Sequence, residues 1–198
     1  MSLVGVAKDV MIGTVTGLYL KSFPDFSIRF IQLHRAALMS ITIIQADLSK
    51  THHGDAVLVL LNSYAREPAG GGQGLSDYTR QHLIKRIQLR VDTLVLLAYN
   101  GEKPVGLVIG FEGFSTFMCK PLLNIHDVVV LEPYRGQGIA QKMLDAVEAL
   151  ARQRGCCKLT LEVLQNNSPA QAAYCKAGFA AYVLDPAMGP AMFWEKKI

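Results

Sequence analysis

The chain has 198 residues, of which 51% are hydrophobic and 18% charged, and a formal net charge of +4. This length suits one domain with an appendage, and this composition supports a sizeable core and excludes intrinsic disorder. The mild basicity suits an anionic ligand, but the sequence has no dense Lys/Arg cluster and no aromatic–basic interleaving, so nucleic acid is not an expected partner.

"VMIGTVTGLYL" (10–20) has the outline of a signal-peptide core, but Asp9 spoils its basic flank and no small-x-small cleavage site precedes "KSFPDF". Residues 1–39 read as an N-terminal extension, either an accessory element or a non-native start displaced from Met39, after which the regular pattern begins. No stretch approaches the ~18 continuous apolar residues of a membrane span, so no membrane association is expected and the cytoplasm is the expected location. Cys119, Cys156, Cys157 and Cys175 contain no C-x-x-C pair. Zinc spacing is therefore missing, no metal is expected, and the thiols read as the reduced, mostly buried cysteines of a cytosolic protein.

From residue 40 onward the elements follow in order. "ITIIQAD" (41–47) predicts a strand, and 54–68 predicts a helix, although its Val-Leu-Val run is also compatible with a strand. "AGGGQG" (69–74) is a flexible loop, and no Gly-Lys-Ser/Thr follows it to make a P-loop. Ser76 caps a helix over 76–91 with apolar residues at helical spacing. Strands follow over 93–100 and 105–114, joined by the Asn-Gly turn of "NGEKP", and then over 124–131, apolar enough for mid-sheet. A helix over 136–155 carries the stripe Ile139, Met143, Val147 and Leu150 and stops at Gly155. A strand over 157–164 precedes a short helix capped by Ser168, with Pro169 at its first position and Gly178 past its end. Segments 179–184 and 191–197 predict a closing hairpin. The order β-α-α-β-β-β-α-β-α-β-β makes a mixed α/β sheet with helices on both faces.

Between a buried strand and the clearest helix stands "YRGQGIAQKML" (134–144). The first turn of a helix offers N–H groups without internal partners and the positive end of the helix dipole. Gly136 and Gly138 clear side chains away from those groups, and Arg135 adds a fixed positive charge, which together describe a pyrophosphate seat. The plain alternative is a glycine-eased turn with a solvated arginine. A Rossmann loop does not fit, because Gln141 stands where its third glycine belongs and Pro133-Tyr134-Arg135 intrudes between strand and helix.

Arg135-Gly-Gln-Gly-Ile-Ala140 resembles the Arg/Gln-x-x-Gly-x-Gly/Ala motif of the GNAT superfamily of N-acetyltransferases. "NSPAQAAYCKAGF" (167–179) is similar to that superfamily's second motif, Asn-x-x-Ala-x-x-x-Tyr-x-x-x-Gly-Phe. The resemblance covers residues 40–198, which it makes the acetyltransferase domain. It implies an α/β fold of the α+β type, whose mixed central sheet is splayed at the cofactor site between 124–131 and 157–164. It implies acetyl-CoA as cosubstrate, with its pyrophosphate on the backbone of Arg135, Gly136, Gln137, Gly138, Ile139 and Ala140. The pantetheine arm would run beside Val128, Val129 and Val130 as an extra strand, with a hydrogen bond from Asn167. Tyr174 would protonate the leaving thiolate.

A primary ammonium, with a pKa of ~10.4, must lose a proton before it can attack a thioester. His126 and Asp127 are the candidate bases. Alternation along a strand lets at most one of them face the substrate. Segment 112–130 resembles the polyamine and thialysine acetyltransferase branch, in which a Glu-Asp pair enters this strand. Here His126 replaces the Glu and Asp127 keeps the Asp, which weakens a polyamine assignment. Glu112 and Glu162 are further acidic candidates.

The expected function is acetyl transfer to a primary amine of a small molecule, by direct attack in a ternary complex. The alternatives are acetylation of a protein N-terminus or lysine, and a non-catalytic acyl-CoA-binding module, against which an intact Tyr174 argues. Homodimers are common in the superfamily, which leaves a homodimer open for this chain.

Overall fold

A computed structural model describes residues 40–198, and the extension expected over 1–39 lies outside the described residues. The chain runs β1 (Ile41–Gln45), α1 (Thr51–Ala65), α2 (Asp77–Gln88), β2 (Thr93–Asn100), β3 (Lys103–Ser115), β4 (Lys120–Val130), α3 (Ile139–Gln153), β5 (Leu159–Leu161) and α4 (Ser168–Lys176). The five strands form one sheet in sequence order, antiparallel from β1 to β4 and parallel between β4 and β5.

Strand alternation divides the core into two layers. Leu94, Leu96 and Ala98 of β2 face α3, while Val95 and Leu97 face α1 and α2. α3 buries Ile139, Met143, Leu144, Val147 and Ala151 on one stripe, and each large aliphatic side chain so buried contributes roughly 1.5–3 kcal/mol. Gly106 lets that stripe lie close on β3: a Cβ there would sit 2.9 Å from the Met143 Cε. On the other face α1 buries Ala56, Val57 and Leu60. Ser76 caps α2, its Oγ accepting from the Thr79 N–H at 3.1 Å.

β4 and β5 pair only over Leu123–Ile125 and Leu159–Leu161. Beyond that point β4 continues to Val130 with its β5-side edge unpaired, which is the splay that the resemblance implied. The strand expected over 157–164 therefore shrinks to three residues, because residues past Leu161 have left the ladder. The hairpin expected over 179–184 and 191–197 does not form. A single bridge, Val183 to Pro190, forms where the two segments approach, and the Ala191 N–H donates to the Tyr182 carbonyl at 2.9 Å. Pro186 and Pro190 supply no N–H for a ladder, and Pro186–Met188 is instead a 3-10 turn capped by Asp185. The helix expected from 136 starts at Ile139, because Gly136 and Gly138 take left-handed φ values of +74° and +76°. Among the described residues no helix is long and apolar enough to cross a membrane.

Candidate active site

The splay opens a cleft of about 540 Å³, within the usual range of small-molecule sites. Its walls are Val128, Val129 and Val130 of β4, the turn and first residues of α3, Asn167 and Tyr174 of α4, and Tyr64 and Glu67 at the end of α1.

The start of α3 is open. Its N-cap is Gly138, and no side chain caps it. A Cβ built on Gly136 or Gly138 meets nothing within 4 Å, so space lies in front of both. The unpaired N–H groups of the first turn thus meet the cleft with no protein acceptor, a donor set that fits a phosphate anion. Arg135 lies beside them. Its Nε donates to the Val130 carbonyl at 2.9 Å and its Nη2 to the Glu67 carboxylate at 2.5 Å. Arg135, Gly136, Gly138, Ile139 and Ala140 all line the cleft. Gln137 does not; its amide turns back to the Pro133 carbonyl at 3.1 Å.

The start of α4 is closed. The cap is Asn167 rather than the expected Ser168, its Oδ1 accepting from the Ala170 N–H at 3.3 Å. Ser168 is the first helical residue and Pro169 follows, where a missing N–H costs nothing. The Asn167 Nδ2 takes no part in the cap. Tyr174 stands on the same helix, its ring edge-on to Phe179 at 6.1 Å between centroids. Burial, then Tyr64 and Asp127, push its hydroxyl up to about 12, so it is protonated throughout the neutral range. Tyr64 reaches the same end of the cleft, and its hydroxyl donates to the Ala69 carbonyl at 3.2 Å. Burial raises its pKa as well, followed by Asp127 and Glu67. The sequence reading missed Tyr64, which follows Val57 and Leu60 at helical spacing and looks like one more core residue.

His126 and Asp127 sit on a β-bulge. Ile109 pairs with Asp127 and Gly110 with Ile125, which leaves His126 as the extra residue. The bulge cancels the alternation, so the rule that only one of the pair faces a given side does not hold. The His126 ring packs edge-on to Phe111 at 5.7 Å, and Phe111 belongs to the core layer on the α1–α2 face. Asp127 alternates with Val128 to share that face with Val129, within electrostatic reach of Tyr64 and Tyr174. Burial raises the Asp127 pKa, and His126 lowers it in part. His126 itself is exposed. Glu112 faces the other side of the sheet, 3.9 Å from Arg154. Glu162 lies just past β5 and accepts from the Asn124 Nδ2 at 3.2 Å.

A family model described as the Acetyltransferase (GNAT) family matches residues 58–179, well over half of the chain. The chain belongs to that family. A streptothricin acetyltransferase of Streptomyces lavendulae is 37% identical over 83 residues, 42% of this chain and 44% of the relative. A thialysine N-epsilon-acetyltransferase of Bos taurus is 32% identical over 87 residues, 42% of this chain and 51% of the relative. The chain thus spans about half the length of these GNAT relatives. The crystal structure of a probable acetyltransferase shares the fold with a TM-score of 0.65 at 23% identity, over 79% of this chain and 99% of that one.

Proposed function

We propose that residues 40–198 form an N-acetyltransferase domain that moves an acetyl group from acetyl-CoA to a primary amine of a small molecule. The observation that carries this reading is the uncapped start of α3, which opens onto a cleft running between the parted strands to Tyr174. Arg135 and the backbone of residues 136–140 would hold the pyrophosphate, the free edge of Val128–Val130 the pantetheine arm, and the Asn167 Nδ2 one of its carbonyls. Acetyl-CoA would supply the acyl group as a thioester. Asp127, half-buried beside Tyr174, accepts the proton of the attacking ammonium, and exposed His126 passes it to solvent. Tyr174 gives its proton to the departing sulfur. Relatives named for streptothricin and thialysine support a small amine, while an N-alpha-acetyltransferase MAK3 of Arabidopsis thaliana, 31% identical over 86 residues, keeps a protein terminus as the second reading.

The test is thiol release from acetyl-CoA against a panel of small amines and peptides. Turnover with small amines is the expected result; CoA binding without turnover on any amine would leave a binding module. The rate should rise with pH along a limb set by Asp127, above the ordinary carboxylate range because burial raises that group. Asp127→Asn should abolish the limb. A limb that survives in Asp127→Asn and vanishes in His126→Ala gives the base role to His126.

A further inference from the structure

The loop after α1 carries three consecutive glycines, Gly70 to Gly72, and lies at the phosphate end of the cleft, yet its amides are not free to cradle an anion. Gly70 and Gly72 donate to the Glu67 carbonyl at 2.9 and 3.0 Å, and Gly71 donates to that of Pro68 at 3.4 Å. The loop is closed on itself and packed on the end of α1. A Cβ at Gly70 would sit 2.1 Å from the Tyr64 carbonyl oxygen. What it presents to the phosphate seat is one charge, the Glu67 carboxylate, and that charge is negative.

A carboxylate beside a diphosphate site is unfavourable unless a cation stands between them. Arg135 is that cation, and Glu67 already holds it at 2.5 Å. The two side chains keep 47% and 31% of their surface exposed, so water and ligand can both reach the pair. Arg135 is also fixed to the Val130 carbonyl through Nε, which leaves its Nη groups as the exchangeable end.

We propose that Glu67 is a counter-anion latch: it occupies the Arg135 guanidinium at the place a cofactor phosphate would take, and incoming phosphate displaces it. This rests on the phosphate seat proposed above and adds a residue that sets cofactor affinity from outside the motif. A ligand shifts such an equilibrium only through its different affinity for the two states. That difference lies in the diphosphate, not in the pantetheine arm.

The test compares CoA and pantetheine, which lacks the diphosphate, by calorimetry on wild type, Glu67→Gln and the control Glu148→Gln. Glu148 makes a more exposed ion pair with Arg152 along α3, and neither residue lines the cleft. Glu67→Gln should bind CoA about 2- to 5-fold more tightly, the worth of an exposed ion pair. It should bind pantetheine unchanged, and Glu148→Gln should match wild type for both ligands. CoA binding that is weaker or unchanged in Glu67→Gln makes the pair a strut and overturns the latch. A failure of the seat itself is distinguishable: Gly138→Glu would then bind CoA normally.

Discussion

Two helices open onto the same cleft, and they begin in opposite ways. α3 starts on a glycine in the left-handed region with no side chain over its first turn. α4 starts on Asn167, whose side chain satisfies one of the free N–H groups, and continues into a proline that has none to satisfy. A helix whose donors serve a ligand must leave them uncapped, and with glycine at the cap the cost to its own stability is only about a few tenths of a kcal/mol relative to a good cap. A helix that positions a side chain gains from a firm start. On the proposed reading the first carries its chemistry in the backbone and the second in Tyr174 and Asn167, so they should fail differently when mutated.

The largest effect should come from filling the open start. Gly138→Glu forces a carboxylate-bearing side chain into a φ of +76° and into the space where a phosphate would sit. CoA affinity should fall by ~10²-fold or more, on the scale of a steric and like-charge block at a buried-charge interface. The protein should stay folded, because nothing within 4 Å is displaced. Calorimetry with CoA, beside a thermal melt, checks both halves of that statement.

The next effect separates chemistry from binding on α4. Tyr174→Phe keeps the ring against Phe179 and removes only the hydroxyl. The maximal rate should fall by ~10²-fold with acetyl-CoA affinity little changed. The hydroxyl also leaves a mark on stability. Its folded pKa is about 12 against an ordinary 10.0, so the folded state holds the proton more tightly. That contribution is fully present below pH 10 and is lost as pH rises from 10 to 12. Tyr174→Phe should therefore lose less stability than wild type across that window. A large drop in melting temperature at neutral pH with normal turnover would make Tyr174 a core residue and nothing more.

The contrast between the two helix starts also marks what a sequence can carry. Gly136, Gly138 and the α3 stripe are local signals, because a turn and an amphipathic period are written in consecutive residues, and α3 buries Ile139, Met143 and Val147 of that stripe while starting at Ile139 rather than at 136. The bulge at His126 was not read, since it depends on how β3 and β4 come into register; its one trace was Gly110, an isolated glycine inside a strand run. Tyr64 and Glu67 reach the cleft only through the packing of α1 on the sheet, and no spacing announces that. The expected hairpin at the C-terminus does not extend past the Val183–Pro190 bridge beside the 3-10 turn at Pro186–Met188, and the cysteines expected to be mostly buried include Cys119 and Cys175 on the surface, because burial is set by tertiary packing. Local rules thus made the glycine turn before α3 legible, while the bulge at His126 and the approach of Glu67 to Arg135 needed tertiary structure.

The smallest effect tests whether Asn167 belongs to the closed helix start, to the ligand, or to both. Its Oδ1 caps α4 at 3.3 Å, and its Nδ2 has no part in that cap. Asn167→Ala removes both atoms, and should destabilise the fold by ~0.5–2 kcal/mol through the lost cap. Asn167→Ser keeps a capping oxygen of nearly equal quality and removes only the amide donor, so its melting temperature should stay close to wild type. If the amide donates to the pantetheine arm, both variants should bind CoA about 2- to 10-fold more weakly, the worth of one neutral hydrogen bond. Stability would then follow the oxygen and affinity the nitrogen, two functions of one side chain separated by two substitutions. An Asn167→Ser protein with wild-type melting temperature and wild-type CoA affinity would leave Asn167 as a cap alone, and α4 would reach the cofactor through Tyr174 only.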